Sequence, residues 1–107
     1  MKLLKTSEEI GEEISRCIEE YSNISFAVAW IKDNKIYQKL LKNKVKIQFS
    51  TVGIDFAGTD VNVLKDFQNS NKVKTYKGEY IFHPKIYVFY ENKKDYTVII
   101  GSANLTN

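Results

Sequence analysis

The residues most able to do chemistry form two short groups near the C-terminal end of the sequence. His83 and Lys85 stand two positions apart, and Ser102 and Asn104 follow an apolar run. An imidazole can act as a nucleophile or a proton donor near neutral pH. A lysine ammonium neutralises phosphate oxygens, and an asparagine amide donates hydrogen bonds to them. Together these residue types indicate a site for a phosphate group.

The predicted elements around these two groups bring them together. Tyr80 to Tyr90 reads as a long strand, Tyr96 to Ile100 as the last strand, and residues 92–95 as the turn between them. Side chains alternate along a strand, so His83 and Lys85 share one face and Ile86 lies on the other. A lone histidine in a strand is usually packed or solvated, and a Gly-Ser-x-Asn turn is common. The conjunction of the two groups on neighbouring strands carries the inference.

The rest of the sequence predicts alternating helices and strands. Thr6 and Glu9 form a capping box ahead of an amphipathic helix. The further predictions are a strand buried on both faces (Ile24 to Ile31), a helix capped by Asp33, a strand (Val45 to Ser50), a loop (Thr51 to Gly58), a helix from Thr59 or Asp60 to Phe67, and a strand (Val73 to Tyr76). This order predicts an α/β fold with a mixed sheet.

Composition limits the classes of protein that the sequence can represent. The 107 residues fit one domain, and no apolar run approaches the length of a membrane helix. The N-terminus lacks the features of a secretory signal, so we expect a cytoplasmic protein without membrane contact. The lone Cys17 falls on the apolar face of the first helix, which favours a core position over a nucleophile. The net charge is +3, with lysines prevailing after residue 32, which suits either a polyanion partner or an ordinary solvated surface.

The motifs resemble those of a known superfamily. His83-Pro84-Lys85, followed by an apolar strand and Gly101-Ser102-Ala103-Asn104-Leu105-Thr106, is similar to the HxK…GSxN signature of phospholipase D. Ile24 to Trp30, Val45 to Gly53 and Asp60 to Phe67 also resemble its first strand, next strand and loop, and following helix. The likeness is closest to the single-motif nuclease branch, found in restriction endonucleases and beside helicases. It implies an α/β sandwich with a mixed, mostly parallel sheet flanked by helices.

Two features depart from the superfamily's pattern. Its fuller motif has an aspartate five residues after the lysine, where this sequence has Tyr90, and Asp95 falls in the turn. Members of the nuclease branch often lack that aspartate, which orients a histidine elsewhere. Chains of the superfamily also continue beyond the asparagine, so we expect residues 1–107 to be the N-terminal part of a longer domain or protein.

The resemblance implies a metal-independent phosphodiesterase without a cofactor. His83, Lys85 and Asn104 would be catalytic, and Lys85, Ser102 and Asn104 would bind the substrate phosphate. His83 would attack phosphorus to form a phosphohistidine, while a second histidine protonates the leaving oxygen. The chain has one histidine. The sequence therefore predicts a homodimer whose two chains share one site.

Three interpretations of the function compete. The first is an endonuclease acting on DNA rather than RNA, with a helicase or a restriction system as partner. The second is a non-catalytic nucleic-acid-binding or assembly module with a degenerate site. The third is a phospholipid phosphodiesterase, which would need an interfacial apolar patch.

Overall fold

In the computed structural model, the residues described are 6–28, 34–53, 65–67, 70–76 and 85–100. They form the helix α1 (Ser7–Glu20), the strand β1 (Asn23–Val28), the helix α2 (Lys35–Lys42), a short 3-10 helix (Lys44–Lys46), and the strands β2 (Ser50–Gly53), β3 (Val73–Tyr76), β4 (Lys85–Tyr90) and β5 (Tyr96–Ile100). Residues 65–67 are also helical.

The strands form one mixed sheet in the order β3-β2-β1-β4-β5. β1 and β2 pair in parallel, as do β2 and β3. β4 runs antiparallel to both β1 and β5. The predicted α/β fold with a mixed sheet is confirmed. The described sheet therefore has two parallel and two antiparallel pairings. Both antiparallel pairings involve β4, which lies between β1 and β5.

The core lies on one face of this sheet. Along β1, the side chains of Ile24, Phe26 and Val28 are buried, while those of Ser25 and Ala27 on the other face are half-buried. The helices cover the first face with an apolar cluster, to which α1 and α2 contribute Ile14, Cys17, Ile18, Tyr37 and Leu40. The prediction of a strand buried on both faces is therefore wrong for positions 24–28. The helices α1 and α2 pack on the same side, and residues 29–31 lie outside the described ranges.

Side chains cap both helices at their N-termini. The Thr6 Oγ1 accepts a hydrogen bond from the Glu9 N–H at 3.1 Å, as the capping box predicts. At the start of α2 the cap is Asn34, whose Oδ1 accepts from the Tyr37 N–H at 2.9 Å. The predicted cap, Asp33, lies outside the described residues. Among the described residues, no helix is both long enough and apolar enough to cross a membrane.

The segment before β2 departs most from its prediction. The sequence predicts a strand over Val45 to Ser50 and a loop over residues 51–58. The chain instead makes a 3-10 turn at 44–46 and touches β1 once, at the bridge between Ile24 and Ile47, and β2 includes residues 51–53. The Lys46 Nζ donates to the carbonyl oxygen of Ile18 at 2.8 Å and so holds this turn against the C-terminal end of α1.

A bulge separates the bridge from the regular pairing of β1 with β2. Ile24 is paired with Ile47, and Ala27 with Thr51, so the β2 side has one residue more than the β1 side. The buried Ser50 bridges the gap, because its Oγ accepts from the Phe26 N–H and donates to the Gln48 carbonyl oxygen, each at 3.0 Å. Without the bulge, alternation from the buried Ile47 would point the side chain at position 49 toward the core. With the bulge, the side chain at position 50 points inward instead.

Candidate functional site

Lys85 is the predicted site residue that falls within the described part of the chain. It begins β4, where it is paired with Val28 at the last position of β1, and it is half-buried. Alternation along β4 places it on the same face as Tyr87 and Phe89, which belong to the core under the helices. The other predicted site residues, His83, Ser102 and Asn104, lie outside the described residues.

The strand register defines one end of the sheet around Lys85. Ile86 of β4 is paired with Ile100, the last residue of β5. Val28 is paired with Lys85 on one side and with Val52 on the other. We call this edge, where β1, β2, β3 and β5 end and β4 begins, the Lys85 end. In open α/β sheets, ligands bind beyond the carboxyl ends of strands, which makes this end the expected place for a site.

The face opposite Lys85 is open in the described part of the fold. Ile86 and Val88 point away from the core, as the strand alternation predicts. Their neighbours Val98 and Ile100 on β5 share this face, and Ile100 is 73% exposed. Lys85 and these apolar side chains therefore lie on opposite sides of β4.

Tyr90 and Asp95 lie away from the Lys85 end. Tyr90 is the last residue of β4, five positions from Lys85, and is paired with Asn23 and Tyr96. Five steps of a strand span roughly 16 Å at about 3.3 Å each. Asp95 belongs to the turn after β4, where its carbonyl oxygen accepts from the Glu91 N–H at 2.9 Å. Side chains at these positions are too far along the strand to contact a phosphate held beside Lys85.

The reactivity of Cys17 is suppressed by its surroundings. The side chain is fully buried on α1, and burial raises the pKa of its thiol to about 11. A core position for Cys17, as the helical spacing predicts, is confirmed. Within the described ranges, no group of three or more His, Cys, Asp or Glu side chains is arranged to hold a metal ion.

A groove on the open face contains residues that the sequence patterns did not single out. Its volume is about 340 Å³, and its lining includes Phe49, Lys72 and Lys74. Phe49 is 82% exposed. The sequence carries no signal for this exposure, because the alternation through residues 45–49 predicts an inward-pointing phenylalanine. The bulge at Ser50 decides it.

A mixed five-stranded sheet with the described helices on one face is an α/β fold consistent with a domain of the phospholipase D type. The comparison with family models agrees. The model described as the NgoFVII restriction endonuclease N-terminal PLD domain matches residues 53–107, which is a little over half of the chain and includes both motifs. The chain belongs to this family of PLD-like restriction endonuclease domains, and the predicted resemblance is confirmed. No curated protein and no solved structure gives a significant match.

Proposed function

We propose that the chain is a metal-independent endonuclease that hydrolyses DNA through a phosphohistidine on His83. The observation that carries this proposal is the register of β4, with Lys85 paired to Val28 and Ile86 paired to Ile100. His83 precedes the start of β4 by two positions, and Ser102 and Asn104 follow the end of β5 by two and four. The chain enters β4 and leaves β5 at the Lys85 end, which supports a proposed site built from both motifs there.

In the proposed reaction, an imidazole nitrogen of His83 attacks phosphorus and the bond to the leaving oxygen breaks. A second histidine gives its proton to that oxygen. Water then attacks the phosphohistidine, the same second histidine accepts the water's proton, and the phosphate is released. Lys85 neutralises the non-bridging oxygens, and Ser102 and Asn104 donate hydrogen bonds to them.

The second histidine comes from another copy of this chain. The sequence has a single histidine, and in-line displacement needs one imidazole on each side of phosphorus. A twofold axis near the two Lys85 ends would supply both groups from identical residues. The proposed enzyme is therefore a homodimer with one shared site.

DNA is the proposed substrate because the family is one of restriction endonuclease domains. The positive net charge agrees with a polyanionic substrate. A restriction system in the cytoplasm, with or without a helicase, is the proposed setting.

A non-catalytic binding module is the second candidate, because the sequence departs from the fuller motif at Tyr90. This tyrosine replaces an aspartate of the fuller motif. The position lies at the far end of β4 from Lys85, so its replacement leaves the phosphate-binding end unchanged. This placement supports the nuclease over the binding module.

Cleavage of DNA in EDTA tests the nuclease. The parent protein should cut DNA without metal, and His83→Ala should not. Lys94→Ala, which removes an exposed charge from the β4–β5 turn, is the matched control and should cut like the parent. Salt-sensitive DNA binding without cleavage by the parent would support the binding module instead.

Mixing experiments test the shared site. When a fixed amount of parent exchanges subunits with an equal amount of His83→Ala, parent homodimers and hence activity should fall to about one half. A site complete in one chain would leave the activity unchanged. Sedimentation of a cleaving protein as a strict monomer would contradict the shared site.

A further inference from the structure

An exposed phenylalanine stands on the open face, at the end of the sheet away from Lys85. Phe49 is 82% exposed although it adjoins a buried strand. The bulge determines its direction, because the hydrogen bonds of Ser50 with Phe26 and Gln48 hold position 50 inward. The ring is therefore presented to the exterior by a part of the fold that is itself well anchored.

Two lysines line the same groove as Phe49: Lys72 just precedes the edge strand β3, and Lys74 lies within it. The Lys72 carbonyl oxygen accepts from the Ser50 N–H at 2.8 Å, which ties Lys72 to the bulge. Its Nζ donates to the Gln48 Oε1, a neutral partner, at 3.1 Å. Lys74 is exposed and is paired with Thr51. Together with Phe49 they line the groove, and none of the described residues that line it is acidic.

We propose that this groove binds a nucleic-acid strand, with phosphates at Lys72 and Lys74 and the face of a base against Phe49. The assignment rests on the proposed DNA substrate and adds a second contact surface, on the face of the sheet opposite the Lys85 side chain. Positive grooves with an exposed aromatic ring suit the backbone and bases of nucleic acid. The lining combines both features in one place.

A second copy of the chain fits this surface less well. Twofold pairing of the groove with itself would bring Lys72 and Lys74 close to the same lysines of the other copy. With no acidic side chain among the described lining residues, that contact would be repulsive. A polyanion bound in the groove would instead bring negative charges next to Lys72 and Lys74, and this contact is attractive.

The groove runs along the open face toward the Lys85 end. Phe49 lies just before β2, whereas Ala27 and Ile86, which also line the groove, are paired next to Val28 and Lys85. Lys85 itself points to the opposite face of the sheet. A strand held in the groove would therefore pass around the end of the sheet to reach the proposed point of cleavage.

Binding can be measured without cleavage in the His83→Ala background. Fluorescence anisotropy would use a labelled single-stranded oligonucleotide and a duplex of the same sequence, in EDTA. Phe49→Ala should weaken single-strand binding by about 5- to 150-fold, which is the range for losing one stacked base. Tyr96→Ala, which removes an exposed ring of the same face from the far edge strand β5, should bind as before.

The lysines are tested by the salt dependence of binding. Lys72→Gln combined with Lys74→Gln should reduce the slope of log K against log salt by about 1.4 for a single strand, or about 0.7 per lost contact. Lys93→Gln with Lys94→Gln makes the same charge change in the exposed β4–β5 turn and should leave the slope unchanged. Stronger binding of the single strand than of the duplex would identify an unpaired base as the partner of Phe49.

Each outcome decides the proposal. Parent-like affinity and slope in both groove variants would overturn it, even if the protein with His83 cleaves DNA and the proposed function stands. A protein that neither binds nor cleaves DNA would overturn both. If Phe49→Ala changes the sedimentation of the protein and leaves DNA affinity unaltered, the groove is an interface between copies and the assignment is wrong. Circular dichroism checks that each variant is folded, and the lysine pair tests the groove if Phe49→Ala is not.

Discussion

Replacement of Ser50 by alanine should destabilise the fold through a single buried backbone group. The Ser50 Oγ accepts from the Phe26 N–H at 3.0 Å, at the bulge where regular pairing between β1 and β2 is interrupted. Ser50 is 5% exposed, so water is poorly placed to replace the lost acceptor. A buried donor left without a partner costs about 1–3 kcal/mol. This is a large share of the stability of a small domain.

Urea unfolding followed by far-UV circular dichroism measures this cost. The midpoint should fall while the slope m stays the same, because the variant changes stability and leaves the exposed surface alone. Thermal unfolding should show a loss of roughly 4–8 °C for each kcal/mol.

Ser70→Ala is the matched control. The Ser70 Oγ accepts from the Lys72 N–H at 3.2 Å, but this hydrogen bond is exposed to solvent. The same chemical change should therefore cost less than about 0.5 kcal/mol. Equal losses in the two variants would refute the argument that burial of the Phe26 N–H makes Ser50 important.

Two further predictions concern the helices. Tyr37→Phe removes the hydroxyl that donates to the Asp66 carboxylate. The free energy of unfolding, measured by urea titration, should fall by about 1 kcal/mol. Tyr96→Phe, which makes the same change on the exposed face, should leave it unaltered. The raised pKa of Cys17 predicts a pH effect of definite sign. The thiol ionises near pH 9.0 when unfolded and near 11 when folded, so stability should be complete below pH 9 and should fall as the pH rises toward 11. Unfolding measured across this range should show a smaller fall for Cys17→Ala, and a stability that rises with pH in the parent would contradict the assignment.

The helix starts and the last hairpin could be predicted from the sequence because they depend on residues close together in the chain. The capping box at Thr6 and the apolar spacing of α1 depend on neighbouring residues only, and both are confirmed. The alternation that places Lys85 opposite Ile86 follows from strand geometry and is confirmed too. The second helix was found, although its cap is Asn34.

Predictions that depend on distant parts of the chain were less successful. The apolar run of β1 suggested burial on both faces, but α1 and α2 cover one face. Whether a strand face is covered depends on the helices that pack on it, and periodicity within the strand carries no information about them.

The sequence by itself determined the residue types of the candidate site and the family resemblance, and its single histidine is the basis for the proposed second copy. Tertiary structure alone decided which end of the sheet Lys85 occupies and how β4 is paired with β1 and β5. It also decided that Phe49 points outward and Ser50 inward. The physical reason is the bulge. One additional residue in a strand exchanges the side chains that point toward the core with those that point outward, and a bulge is defined only by how the strand pairs with its neighbour.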